Sequence, residues 1–279
     1  MVCALLKKLE NLLKSKAAIA IIQARMSSTR LPGKVMLPLN NKPLIQHIVD
    51  RLMLCKEVGH IVIATSDMKD DDEIYKYCKN NNIDCYRGSL ANVLSRFVGI
   101  LKNYKYEFCV RITGDCPLIH PPFIDAQIEA LKKNDGDLIW IDKQIKVLEG
   151  QGVISRRAIS NVFINSNDPE DLEHVGSKYF LSNINFKYVK LIVPQKYYKY
   201  NYRLCLDEKK DYDFLKYIFN QRSTVYPENL DDILQWLDTI EDSKIINKSI
   251  EHSQINKKIN NQKLFFKPNI IASFSWNNA

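Results

Sequence analysis

The sequence predicts an α/β protein: a largely parallel sheet covered by helices on both faces. Two observations carry this. Short apolar runs bounded by turn residues, such as "AIAII" (18–22) and "HIVIAT" (60–65), read as buried strands. Between them lie stretches with apolar residues at helical spacing, such as "PLIQHIVDRLMLC" (43–55). Strands and helices in alternation place parallel strands side by side with crossover helices above and below.

Along the chain, strand one (18–22) leads into a basic loop and the helix at 43–55. The strand at 60–65 is followed by the acidic "DMKDDDEIYKYCKNN" (67–81), a helix whose aspartates suit the positive end of its dipole. Next come a short strand "IDCYRG" (83–88), a helix "LANVLSRFVGILKNY" (90–104) and a buried strand "EFCVRIT" (107–113) that ends at "GDCPLIHPP". Proline opens the helix "PPFIDAQIEALKKN" (121–134), and "DLIWID" (137–142) makes a further strand. From 143 the alternation weakens. "GQGVISRRAISNVF" reads as a turn and a helix, "PEDLEHVGSKYFLSN" as one helix, "KYVKLIVP" and "YNYRLCLD" as strands, and "EKKDYDFLKYIFNQ" and "NLDDILQWLDTI" as helices. Residues 1–16 read as an amphipathic helix extension, 17–249 as the main domain and 250–279 as a polar tail.

At 279 residues and 46% apolar, the chain can bury a full core. A net charge of +8 favours anionic company, and composition alone does not say which. A nucleic-acid binder would line Lys and Arg with aromatics along one face. Only "QKYYKYNYR" (195–203) has that look, and it reads better as an edge strand or subunit contact. No run is long enough to insert into a membrane. Seven scattered cysteines without a C-x-x-C pair are neither a zinc cluster nor a disulfide framework, and fit a reducing cytoplasm.

Ligands of such sheets bind outside the carboxyl ends of the strands. Two candidates lie there: "QARMSSTRLPGK" (23–34) and "TGDCP" (113–117), which should share one cleft. The first crowds Arg25, Arg30 and Lys34 among Ser27, Ser28 and Thr29. Guanidinium groups, hydroxyls and turn N–H groups together make a phosphate cradle, although a solvated basic turn has the same composition. It is neither a Walker A motif nor G-x-G-x-x-G. Asp115 is placed to hold a hard cation or to cap a turn, and Asp207, at the end of a predicted strand, either pairs with it or caps the next helix. His174 beside Glu173 has no catalytic partner pattern, and Arg156 and Arg157 bind an acidic substrate or form a solvated helix face.

The segment "IIQARMSSTRLPGKVMLPLNNKPLIQHIVDRL" resembles the opening of the cytidylyltransferases that make CMP-activated sugars, in the branch of the spore-coat polysaccharide biosynthesis proteins. "VIATSD", "CYRGSLANVLSRF", "VRITGDCPLIHPPFID" and "RLCLDEKKDYDFL" follow in that branch's order, over about residues 18 to 220. The resemblance implies the nucleotide-diphospho-sugar transferase (Rossmann-like) fold, with a mixed, mainly parallel sheet. It implies CTP as the nucleotide, Mg2+ as the cation, a sugar-like acceptor and a homodimer as the assembly seen in relatives; the alternatives are another nucleotide or a sugar phosphate as substrate, or a non-catalytic nucleotide-binding regulator of a glycan pathway. Nucleotide binding falls on Gln23, Ala24, Arg25, Ser27, Ser28, Arg30 and Lys34, with Thr65, Asp67, Arg96 and Arg111 as further contacts. Arg25, Lys34, Asp115 and Asp207 carry catalysis, the two aspartates holding the metal. The chain departs from the branch at Asn92, where an acid is usual, and at "GQGVISRR", where a "G-x-D-x-E" pattern is usual. Gln151, Arg156, Arg157, Glu173 and His174 are therefore the expected acceptor contacts, and favour an anionic acceptor.

Overall fold

β1 (Ala18–Gln23) shows how the sheet is built. Its residues alternate between the two faces: Ala18, Ala20 and Ile22 join one apolar cluster, Ile19 and Ile21 the other. All five are completely buried, as a central strand covered on both sides requires. In this computed structural model, residues 16–142, 144–222, 227–241, 245, 247 and 266–276 are described. The helix expected over 1–16, Lys16 apart, and the tail as far as 265 lie outside them.

β2 (Pro38–Leu39) and β3 (Lys42–Pro43) form a separate short antiparallel pair, and helix α2 (Asp72–Asn80) lies between β4 (Val58–Ser66) and β5 (Asp84–Gly88). β1 pairs in parallel with β4 and with β6 (Phe108–Thr113), and β5 extends the sheet beyond β4. On the other side lie β7 (Leu138–Trp140), β8 (Gln151–Ser155), β9 (Tyr188–Ile192) and β10 (Ile270–Ser275). The order is β10-β9-β7-β8-β6-β1-β4-β5. Helices α1 (Leu44–Leu52) and α4 (Pro121–Asn134) pack on the face of Ala20 and Ile22, whereas α3 (Val93–Asn103) and α5 (Arg156–Asn165) pack on the face of Ile19 and Ile21. Asn92 caps α3, its side-chain oxygen accepting from the Ser95 N–H at 2.8 Å, so the neutral residue there has a structural task.

β8 alone runs against its neighbours, antiparallel to both β6 and β7. It falls in the segment read as turn and helix, because its five residues include a glycine and are followed at once by the Ser155-capped helix. The segment "YNYRLCLD" is irregular rather than a strand. "QKYYKYNYR" forms a 3-10 helix over Gln195–Lys199, not an edge strand. The Tyr197 ring is fully buried, stacks on Trp276 at 5.1 Å and shares a hydrogen bond with His120, so it belongs to the core rather than to a subunit contact. The edge on that side is β10, parallel to β9 and drawn from the segment read as a tail. The single helix read over "PEDLEHVGSKYFLSN" is two, α6 (Pro169–His174) and α7 (Ser177–Ser182), separated by left-handed Val175 and Gly176.

Candidate active site

β1 delivers its last residue, Gln23, to the carboxyl end of the sheet, and the basic loop starts there. Asp71 ties this loop down: one carboxylate oxygen accepts from the Met26 N–H at 2.7 Å and the other from the Ser66 N–H and hydroxyl. Gly33 adopts a left-handed φ of 70°, open to glycine at no steric cost, and donates to the Met26 carbonyl at 2.8 Å. That turn sends Lys34 inward.

The Lys34 ammonium lies among three oxygens: Asp115 Oδ2 at 2.6 Å, Leu206 O at 2.9 Å and Asp207 Oδ1 at 2.9 Å. The loop after β6 carries Asp115, and the segment entering α8 (Lys209–Gln221) carries Asp207. Glu208, not Asp207, caps that helix, with Asp211 closing the capping box. Arg30 approaches Asp207 at 3.1 Å and Arg203 at 2.7 Å. Burial alone would push the Asp207 carboxyl up, but Lys34, Arg30 and Arg203 hold it below its ordinary value. Burial likewise disfavours the Lys34 charge, and the two carboxylates outweigh it, so its pKa is raised. The predicted pair therefore meets, around a cation. Arg203 was not anticipated; its spacing four before Asp207 was the available signal.

The cleft holds about 1050 Å³. Because β8 is reversed, its start lies beside the end of β6, with Arg111 paired opposite Gly152 and Ile112 opposite Gln151. Nothing lies within 4 Å of where a Gly152 Cβ would sit, so the floor is open there. Arg111 donates to the Gln23 side-chain oxygen at 3.0 Å, and Arg96, only 2% exposed, donates to the Ala64 carbonyl at 3.0 Å. Burial lowers both guanidinium groups to about 10. Gln151 accepts from the His120 N–H through its side-chain oxygen, leaving its buried Nε2 without a partner in the protein. Glu173 accepts from Arg25 at 3.2 Å at the opposite wall, beside His174, whose pKa burial lowers. Glu149, also unanticipated, lines the cleft with its carboxyl pushed up to about 7, burial outweighing Arg203 and Lys146.

Of the predicted residues, Gln23, Ala24, Arg25, Ser28, Arg30, Lys34, Arg96, Arg111, Asp115, Gln151, Glu173, His174 and Asp207 line this cleft. Ser27 faces solvent outside it, where Thr29 lines it instead. Thr65 is completely buried within β4, and Asp67 is exposed past its end; neither reaches the cleft. Arg156 and Arg157 are corrected outright. The reversed β8 carries them to the opposite end of the sheet, where Ser155 pairs with Phe108 at the start of β6. There Arg156 donates to the carbonyls of Leu101, Tyr104 and Tyr106, and Arg157 pairs with Asp135 and Asp137. The expectation of seven separate cysteines is also corrected: Cys116 and Cys205, 89 residues apart in sequence, form a disulfide at the cleft.

Residues 19–242 match the cytidylyltransferase family. The chain belongs to that family. It is thus an enzyme of the nucleotidyltransferase class, with the family's nucleotide-diphospho-sugar transferase fold. The spore coat polysaccharide biosynthesis protein SpsF of Bacillus subtilis is 32% identical over 206 residues, covering 72% of this chain and 85% of that one. The 3-deoxy-manno-octulosonate cytidylyltransferase of Zea mays is 37% identical over 120 residues, 42% of this chain and 39% of that one. A cytidylyltransferase structure from Leptospira borgpetersenii superposes with a TM-score of 0.76 at 26% identity, covering 85% of this chain and all of the other. No helix among the described residues is long and apolar enough to cross a membrane.

The donor set suits a divalent cation of the kind cytidylyltransferases use. No cluster of three or more His, Cys, Asp or Glu side chains among the described residues is set to hold a metal. Two carboxylates and a main-chain carbonyl nevertheless converge on the Lys34 ammonium, and hard oxygens are what Mg2+ selects.

Proposed function

We propose that the enzyme transfers CMP from CTP to an oxygen of an acidic sugar or sugar-like acceptor, releasing pyrophosphate, in the assembly of a surface glycan. One observation carries the reading: a three-oxygen cation cradle built from Asp115, Leu206 and Asp207 opens beside a loop bearing Arg25, Arg30 and Lys34. The acceptor oxygen attacks the α-phosphorus, and the bond to the β-phosphate oxygen breaks. Negative charge builds on the leaving pyrophosphate, and Arg25, Arg30 and Lys34 are placed to bind it. A Mg2+ held by Asp115 and Asp207 would screen the phosphates and make the acceptor hydroxyl easier to deprotonate.

Arg156 and Arg157 give no support for an anionic acceptor, since they lie at the far end. Arg111 does: its guanidinium has no carboxylate at salt-bridge distance among the described residues and lies next to the floor that Gly152 leaves open. Gln151 offers an unused amide N–H beside it. The Zea mays relative's name, a cytidylyltransferase for a sugar acid, agrees with this.

Pyrophosphate release from CTP with Mg2+ tests the reading, against a panel of acidic and neutral sugars and sugar phosphates, with Asp115→Ala as the blank. Release with an acidic acceptor that vanishes in the blank is expected. Equal turnover of neutral sugars would remove the acidic part, and release only with another nucleotide would replace CTP.

A further inference from the structure

Between the two aspartates of the cation cradle runs a covalent link. Cys116 directly follows Asp115, and Cys205 lies two residues before Asp207; their sulfurs are bonded and their Cα atoms are 4.3 Å apart. The Leu206 N–H donates to the Asp115 carbonyl at 2.7 Å, and Lys34 bridges the two carboxylates. Gly150 packs directly against this bond: a Cβ there would meet Cys116 Sγ at 2.4 Å, and its left-handed φ of 74° suits glycine. Thr113 Oγ1 lies 3.3 Å from Cys116 Sγ on the same side.

We infer that Cys116 and Cys205 are positioning residues: their disulfide holds Asp115 and Asp207 on one divalent cation, so that cation affinity depends on the redox state of this pair. The inference rests on the proposed metal-assisted CMP transfer. In the nucleotide-free cleft Lys34 bridges the two carboxylates, while Arg30 and Arg203 pair with Asp207 alone. Once the Lys34 ammonium turns to the triphosphate, the bridge between the carboxylates is lost until a cation restores it, and among the described residues the disulfide and the Leu206 main-chain hydrogen bond remain as direct links between their segments. A cross-link between positions 89 residues apart confines their separation in a way two thiols do not.

Both sulfurs line the cleft, and Cys205 is the less buried of the two. A thiolate of an external dithiol attacks Cys205 Sγ, the bond between the cysteines breaks, and Cys116 leaves as a thiolate that takes up a proton. The second thiol of the dithiol then displaces Cys205. The products are two protein thiols and the cyclic disulfide of the reductant, with two electrons passed to the protein. A small-molecule disulfide runs the exchange backwards.

The test uses the full chain, oxidised or reduced with dithiothreitol that is then removed anaerobically. Peptide mapping after alkylation follows Cys116 and Cys205 apart from Cys3 and from Cys55, Cys78, Cys85 and Cys109, the free thiols among the described residues. Mn2+ binding is read by electron paramagnetic resonance, alone and with CTP, without turnover. Reduction should weaken Mn2+ binding about tenfold, the lower end of what losing an outer support to metal ligands does. Reoxidation should restore it, and Cys205→Ser should bind as the reduced protein does and ignore the dithiol. Tight Mn2+ binding that reduction leaves unchanged overturns this inference alone. Absence of Mn2+ and CTP binding in both states overturns it together with the reading it rests on. Free thiols at 116 and 205 after oxidation also overturn it.

Discussion

Two pairs of arginines sit at opposite ends of the same sheet, and their surroundings differ in kind. Arg96 and Arg111, at the carboxyl end, have one neutral hydrogen-bond partner each among the described residues, a carbonyl and an amide oxygen. Burial lowers their pKa values, meaning that the fold disfavours their charge. At the far end, Arg156 donates to three carbonyls around the end of α3, and Arg157, whose charge desolvation disfavours, is matched by two aspartates that together outweigh it and raise its pKa. A buried cation left without a counter-charge awaits an anion; one that is fully satisfied holds elements together.

The sharpest break of this contrast is Arg111→Met. Activity with CTP should fall by about a hundredfold, while the thermal midpoint stays level or rises, because an uncompensated charge has been removed. Lost stability with retained turnover would mean the group is structural. Arg156→Ala should do the reverse: stability falls by about 2–3 kcal/mol in denaturant unfolding, with turnover unchanged within about twofold. Arg157→Ala should matter least, at about 0.5–1 kcal/mol, because its side chain is 49% exposed.

Glu149 sharpens the picture from the acidic side. Its folded pKa of about 7 lies above the ordinary 4.5, so between those values the folded protein holds more protons at this site than the unfolded chain. Its contribution to stability is therefore full at low pH and is lost as pH rises through 7. Thermal melts of Glu149→Gln should match wild type near the acid end of that window and exceed it above the window. Parallel profiles at all pH values would show that the carboxyl is not the titrating group.

The parallel half of the sheet was legible because nothing in it conflicts. From β1 to α4, apolar runs, helical spacings and the opening proline of α4 all agree with the elements found. The meeting of Asp115 and Lys34 in one cleft was legible too, since both follow strand ends that periodicity locates. What escaped was direction. Nothing in "GQGVIS" says that β8 runs backwards, yet that reversal decides that Gln151 faces the cleft while Arg156 and Arg157 do not. Asp71, read only as dipole-friendly charge, is a buried acceptor that fixes the basic loop. Arg203 left a local signal, its spacing four before Asp207, whereas Glu149 at the cleft and the Cys116–Cys205 link depend on meetings across long stretches of chain, which local pattern does not encode.

The edge strand β10 bears on how this chain is made. During synthesis β9 emerges long before the partner that covers it, and its unpaired N–H and C=O groups stand open to any passing strand in the interval. The Trp276 ring, stacked on Tyr197 and set edge-on to His120, is then the clasp that fastens the late arrival. A nascent chain stalled before this segment is thus the form of the protein most exposed to aggregation, and the one with most need of a chaperone.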